Sequence, residues 1–307
     1  MTQPSAKIIC DSINEWGQRL TTMEVVMHRF VLAEMNTHRV FSRNSASSRA
    51  IPFEKVADRV DTEPAMPWYW GGEQKGMQSG EELKGRDSVF CEDTWLDASS
   101  DALGHANVLH RAGLHKSLVN RLLEPFMWHT AIITATEWDN FFWQRCDPAA
   151  QPEMKAVADQ MQLAYYKSAP NDMPYGAWHL PYIKNEDFLE AQSLSDGSVL
   201  GIATMLKQVS TARCARVSYL THDGVRDLSE DIRLFEKLKG SGHWSPFEHV
   251  ATPSYKTAVV PTSNFKGWRQ YRKEFATENR VNFLPNLPEL AQQRSNIEQG
   301  IAPWEVK

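Results

Sequence analysis

Thr37–Arg49 reads THRVFSRNSASSR, a stretch in which Arg39, Arg43 and Arg49 alternate with Ser42, Asn44, Ser45, Ser47 and Ser48. Guanidinium forks and short hydroxyls are the donors that a phosphate oxygen needs. A Ser/Arg run by itself is most often a solvated loop. The residues before it change that weighting. Met23–Ala33, MEVVMHRFVLA, is rich in Val, Phe and Leu and reads as a strand feeding the polar run. A loop that leaves a strand can be held rigidly against a ligand.

Outward from this point the chain alternates between element types. Residues 54–104 carry many Gly, Asp, Glu and Ser, and around Gly71–Gly72 and Gly80 they read as loops and a short connection rather than core. From Asn107 the pattern turns helical, with Leu114, Leu118 and Leu122 at four-residue spacing until Pro125 stops or kinks the run. Met154, Val157, Met161 and Tyr165 have the spacing of one buried helix face. Residues 167–197 hold Pro170, Pro174, Gly176 and Pro181 and read as a long connector. A second block opens with Met205–Tyr219, contains a helix near Asp231–Leu238, and passes Gly240 and Gly242 into a strand-like stretch after Pro246. There is no internal repeat of fixed period. The mixture predicts an α/β or α+β fold, with blocks 1–185 and 200–290 intertwined in one domain.

Composition narrows the function classes. The chain has 307 residues, 42% hydrophobic and 23% charged, which is ordinary for a globular protein with a real core. A net charge of −5 argues against extended nucleic-acid binding, where affinity comes from many Lys and Arg on phosphates, and leaves room for one local anion site. Cys10, Cys91, Cys146 and Cys214 form no CxxC pair, so neither a metal site nor a disulfide framework is expected, and a reducing cytoplasm is. The start MTQPSAKIICD has no signal-peptide core and no window reaches membrane-spanning length, so a soluble cytoplasmic protein is expected. Eleven Trp is a high count. Core filling is the commoner role for any one of them, but several together suit a pocket or an interface. No GxGxxG, P-loop or HExxH occurs, and no nucleophile elbow.

The run HRVFSRNSASSR resembles the signature of the flavin-dependent thymidylate synthases, with His38, Arg39, Ser42, Asn44, Ser47 and Arg49 in register. Thr37 stands where that family usually has Arg, and Ser45 where it usually has Glu. Arg121-Leu-Leu-Glu-Pro125 with Thr130 is similar to a second family block, and Asn140-Phe-Phe-Trp-Gln-Arg145 followed by Ala150-Gln-x-Glu153 to a third. Taken singly, Arg121 and Arg145 would read as surface helix ion pairs of little worth. Ala215-Arg-Val-Ser218-Tyr219 and His243-Trp-Ser245-Pro-Phe-Glu-His249 resemble the blocks that open the usual family order. Here they follow the Arg/Ser loop, so the order looks like a circular permutation, which folds tolerate when termini are exposed and close. Trp268–Arg272, after the His243 block, resembles a remnant of the displaced strand, and Gln270 and Glu34 both remain candidates for the family's phosphate-side Gln.

The resemblance implies a thymidylate synthase-like fold, a central and mainly antiparallel sheet with long helices. It implies FAD bound outside a Rossmann fold, methylenetetrahydrofolate as one-carbon donor, NADPH as candidate reductant, and a homo-oligomer, dimer or tetramer. The roles it implies are catalysis for Arg145, Ser47 and His243, and nucleotide binding for Glu34, Ser47, Arg49, Arg121, Arg145 and Gln270. Cofactor binding falls to His38, Arg39, Asn44, Ser45, Asn140, Ser218, His243 and Ser245. The expected reaction is C5 methylation of dUMP to dTMP. The alternatives are C5-hydroxymethylation of dUMP or dCMP, as a virus that modifies its DNA bases would need, placing the enzyme in the host cytoplasm, and a non-enzymatic nucleotide- or RNA-binding protein.

Overall fold

A computed structural model describes residues 2–217, 227–254 and 264–275, together with Glu278 and Ser295. The chain divides into a unit Met1–Glu274 and a unit Phe275–Lys307.

In the first unit the strands are β1 (Ser5–Asn14), β2 (Arg19–His28), β3 (Ser42–Ser45), β4 (Trp128–Ala135), β5 (Asn171–Met173), β6 (Ala251–Pro253) and β7 (Trp268–Gln270). The α-helices are α1 (Leu32–Met35), α2 (Phe53–Thr62), α3 (Arg86–Arg111), α4 (Lys116–Val119), α5 (Asp139–Arg145), α6 (Pro152–Lys167), α7 (Asn185–Leu194), α8 (Val199–Ala215) and α9 (Leu228–Gly240). Five strands form one sheet in the order β3-β4-β2-β1-β5, antiparallel except for the short β1–β5 pairing, and β6 pairs with β7 in a second, two-stranded sheet. The fold is thus mixed α and β around a mainly antiparallel sheet.

Strand alternation decides which residues reach each face. Met23, Val25 and Met27 of β2 lie over Ile133 and Ala131 of β4, and with Met154, Val157, Ala158 and Met161 of α6 they build the main core. The intervening positions point the other way, where Ile132 packs with Cys214 and Val217 at the end of α8. A smaller core joins Phe53, Val56 and Val60 of α2 to Ala106 of α3 and to Val119, Leu123 and Phe126. On the far side α7, α8 and α9 are tied by Arg213, which is fully buried. Arg213 is bidentate to Asp187 at 2.7 Å, donates to Asp231 at 2.9 Å and to the Tyr182 carbonyl at 2.9 Å.

Several expectations are corrected. The strand predicted over Met23–Ala33 runs instead from Arg19 to His28, because pairing with β1 and β4 fixes its length, and Arg29–Met35 turns helical. Around Gly71–Gly72 and Gly80 the chain is loop, as read, but its flanks within residues 54–104 are not. They hold α2 and most of the 26-residue α3, whose fully covered residues, Ser99 and Ala106, are small, with half-buried Trp95 and Leu103 packed beside them among a polar majority that hides the face. The Leu114–Leu122 run is not one helix: Gly113, at φ +84°, ends the turn after α3, and only α4 and a 3-10 segment Asn120–Phe126 follow. The connector after Lys167 contains β5 and α7. Helix α6 carries the buried face expected of it.

Candidate functional site

The Arg/Ser loop leaves α1 and enters the sheet edge as β3, so strand pairing with β4 fixes its backbone. Arg145 is the last residue of α5, half-buried, and reaches back to this loop. Its Nε donates to His38 Nε2 at 2.9 Å, and its Nη2 to Thr37 Oγ1 at 3.1 Å. Thr37 in turn donates to the Glu34 carbonyl at 2.6 Å. Burial first, then the Arg145 and Arg43 guanidiniums, push the His38 imidazole down to about 4, so it is neutral at pH 7. His38 is therefore a buried acceptor that aims Arg145, with its ring edge-on to Phe141 at 4.9 Å. Glu34 lies close by. Burial raises its carboxyl, against the pull of Arg145, and its Oε2 has no hydrogen-bond partner among the described residues.

A second cluster forms where the loop passes the β4 edge. Glu124 accepts from Ser48 at 2.7 Å, from Arg29 at 3.1 Å and from Arg121 at 2.9 Å. Burial would raise the Glu124 carboxyl, but the hydroxyl and the two guanidiniums outweigh it and hold it below its usual range. Beside this hub Arg29, Ser48, Arg59, His129, Thr130 and Val217 line a narrow cleft of about 30 Å³. Burial lowers the Arg59 guanidinium, so an anion in the cleft would relieve it. Arg29 and Arg59 were not among the residues singled out from sequence. Arg29 belongs to no motif, while Arg59 sits on α2, where the spacing of Phe53, Val56 and Val60 is the signal that would have found it.

The late blocks return to this loop within one chain. Asn44 donates its amide to the Cys214 carbonyl at 3.1 Å, just before the Ala-Arg-Val block. The 3-10 turn Ser245–Glu248 packs on β3, and His249 is buried with Nδ1 2.7 Å from Thr134 Oγ1. From there Thr134, Thr22, His179 and Ser12 continue a buried hydroxyl–imidazole chain with links of 2.7, 2.8 and 2.9 Å. Arg39, Ser45, Ser47, Arg49, Arg121, Asn140, His243 and Ser245 are exposed. The His243 ring is 3.0 Å from Ser241 Oγ. Gln270 is wholly buried. Its amide donates to Ser42 Oγ at 3.0 Å and to Asn264 Oδ1 at 2.9 Å, which ties β7 to the loop, and its Oε1 has no partner among the described residues. Ser218 lies outside the described residues.

Fold and site together define an α+β protein that gathers guanidiniums and hydroxyls on a strand-anchored loop, a class built to hold small anionic ligands. A family model described as thymidylate synthase complementing protein matches residues 18–171, half of the chain. The chain belongs to this family, the flavin-dependent thymidylate synthases. The match runs from β2 to β5 and contains the Arg/Ser loop, Arg121 and Arg145. Two crystal structures of a UMP/dUMP methylase, PolB from Streptomyces cacaoi, are similar at TM-scores of 0.43 and 0.44. One is bound with 5-Br UMP and the other with 5-Br dUMP. Each is 14% identical and covers 54% of this chain, and 90% and 91% of the respective PolB chain. No curated protein matches. No helix among the described residues is long and apolar enough to cross a membrane.

Proposed function

We propose that this protein transfers a one-carbon unit to C5 of a pyrimidine deoxynucleotide, converting dUMP to dTMP with methylenetetrahydrofolate as donor and reduced FAD as reductant. In balance, dUMP, methylenetetrahydrofolate and FADH2 give dTMP, tetrahydrofolate and FAD. The observation that carries this reading is the junction of Arg145 with His38 and Thr37, inside the stretch that matches the family.

C5 of uracil is a weak nucleophile, so the enzyme must stabilise charge that develops along N3–C4–O4 as C5 attacks. A guanidinium supplies it without proton transfer and, once held by two neighbours, without reorganisation. Neutral His38 and Thr37 hold Arg145 in this way, and its remaining N–H groups are those we assign to the O4 edge. Ser47 and Arg49 hold the nucleotide, and its phosphate lies toward Arg121, Arg29 and Arg59. Glu124 keeps Arg29 and Arg121 in place until the anion arrives.

The donor set suits FAD, whose phosphates and ring edge need hydrogen-bond donors. Asn44 and exposed Ser45 lie on β3, exposed Ser245 in the 3-10 turn packed on it, exposed Arg39 and His243 a few residues ahead of each, and exposed Asn140 on the first turn of α5. When bound, reduced FAD supplies hydride and the folate supplies the methylene. His38, spent on Arg145, positions the guanidinium in this reading rather than touching flavin. The meeting of early and late blocks within one chain supports a circular permutation, and the exposed cofactor side suits completion by a second subunit.

Thr37 in place of the usual Arg favours a second reading, in which water meets the methylene adduct and dUMP, methylenetetrahydrofolate and water give the 5-hydroxymethyl nucleotide and tetrahydrofolate. Mass spectrometry of the product separates the two. A protein that neither carries nor binds flavin, and turns over neither reaction, would refute both.

A further inference from the structure

The tryptophan-rich segment has no part in the site above, and it builds a cavity of its own. Phe30, Trp68, Tyr69, Trp70 and Trp95 face Gln151 and Glu153, at the start of α6, across a cleft of about 960 Å³. None of the residues assigned to nucleotide or flavin lines it.

The walls are fixed. Trp95 donates its Nε1 hydrogen to the Ala65 carbonyl at 3.1 Å and lies edge-on to Phe30, Trp70 and Phe126, at 6.2, 6.3 and 5.2 Å. The loop carrying Trp68–Trp70 closes on itself through Gly72 to Glu81 at 2.8 Å, Gly80 to Gly72 at 2.7 Å and Leu83 to Trp70 at 2.8 Å. A side chain at Gly71 would collide with Ser79, so the two arms must touch there. Trp68 remains 53% exposed.

Of the charged residues that line the cavity, Glu153, Lys155 and Asp159, only Glu153 is buried. The Glu153 carboxylate is 4% exposed; Oε1 accepts from the Trp68 backbone N–H at 2.7 Å and Oε2 from the Gln151 amide at 3.2 Å. Each carboxylate oxygen can accept twice, so both retain capacity toward the cavity. Lys155 is paired to Asp159 at 2.6 Å, which leaves the lining poor in cations for a phosphate.

We propose that this cavity binds a planar heteroaromatic ring through the 2-amino-4-oxopyrimidine edge, which guanine and pterins share. Two parallel N–H groups on that edge match the two oxygens of Glu153, while Trp68 and its neighbours stack on the ring face. Adenine presents a lone pair beside its amino group and would leave one Glu153 oxygen facing an acceptor. The pterin source rests on the proposed reaction, whose folate donor carries this same edge, while the guanine source stands apart from it.

The test is calorimetric titration of the full chain with guanosine, pterin-6-carboxylate, adenosine and choline, with dUMP in saturating excess throughout. Saturable binding of guanosine, the pterin or both is expected, and which of them binds identifies the source of the ring. Adenosine should bind at least about tenfold more weakly, the loss expected when a hydrogen bond to a charged group goes unmade. Glu153→Gln should weaken binding about as much, and so should Trp68→Ala, which touches an exposed side chain and leaves the fold intact. Adenosine binding as well as guanosine, saturable choline binding, no saturable heat from either ring, or unchanged affinity in Trp68→Ala would each overturn the proposal.

Discussion

Replacing Arg145 with alanine removes two functions of one guanidinium, and they can be read separately. The first is electrostatic. A single preorganised donor aimed at developing charge is worth about two to three orders of magnitude in turnover, and that is the loss expected in single-turnover reaction with dUMP and methylenetetrahydrofolate. Arg145→Lys should recover little, because an ammonium cannot donate to His38 and Thr37 and still meet the ring edge with a planar fork. The second is the hold on His38. Its imidazole sits at about 4 because it is buried and because Arg145 and Arg43 face it. Without Arg145, one positive charge and the N–H bonded to Nε2 both vanish, and both had favoured the neutral ring. The His38 pKa should therefore rise from about 4 toward 6.5, stopping short because burial and Arg43 remain. Proton NMR of the ring hydrogens across a pH titration measures it. Turnover near wild type would mean that this helix end is not the pyrimidine site. An unmoved His38 titration would mean that the observed hydrogen bond does not hold the guanidinium in solution.

Arg213→Ala should cost about 3–5 kcal/mol, since it takes away the buried guanidinium shared by two buried carboxylates, Asp187 and Asp231, of which Asp231 keeps only the partly exposed Arg216 as a cation. That corresponds to roughly 6–20 °C in Tm at about 2–4 °C per kcal/mol, whereas Arg121→Ala, whose pair with Glu124 is half-exposed, should stay within about 1 kcal/mol; equal losses in thermal melts would contradict the buried network. His129, His179 and His249 are buried and held to about 3, so the unfolded chain takes up their protons first as pH falls. Stability should be flat above pH 6.5 and drop between 6.5 and 3, by about 1.4 kcal/mol per pH unit for each of the three. Urea unfolding at pH 7 and pH 5 checks this, and equal midpoints would refute it. Arg29→Ala should raise KM for dUMP much more than for uridine-type analogues lacking phosphate; a similar change for both would remove Arg29 from the phosphate side.

How much of this was legible in sequence depends on the kind of signal each residue gives. Helix α6 was readable because Met154, Val157 and Met161 repeat at helical spacing on one buried face. Helix α3 was not, because its two fully covered side chains, Ser99 and Ala106, are small, and the half-buried Trp95, Leu103 and Leu109 that pack beside them sit among many exposed polar residues. Arg145 was picked out by its motif, but its pairing with a neutral His38 rests on burial and on a contact across 107 residues of sequence, which no local pattern carries. The same holds for His249. Its motif marks it as part of a cofactor block, yet it is a core residue bonded to Thr134 of the sheet. Arg29 carries no motif at all, and only the pairing of β2 with β4 brings it to Glu124.

The most direct test of the central claim is anaerobic: reduce the FAD-loaded protein, add dUMP and methylenetetrahydrofolate, and follow flavin oxidation at its visible absorbance while the nucleotide is analysed by mass spectrometry. The account predicts flavin oxidation that requires both substrates, with dTMP formed one for one with oxidised flavin. Flavin that stays reduced while the nucleotide is left unmodified would contradict it.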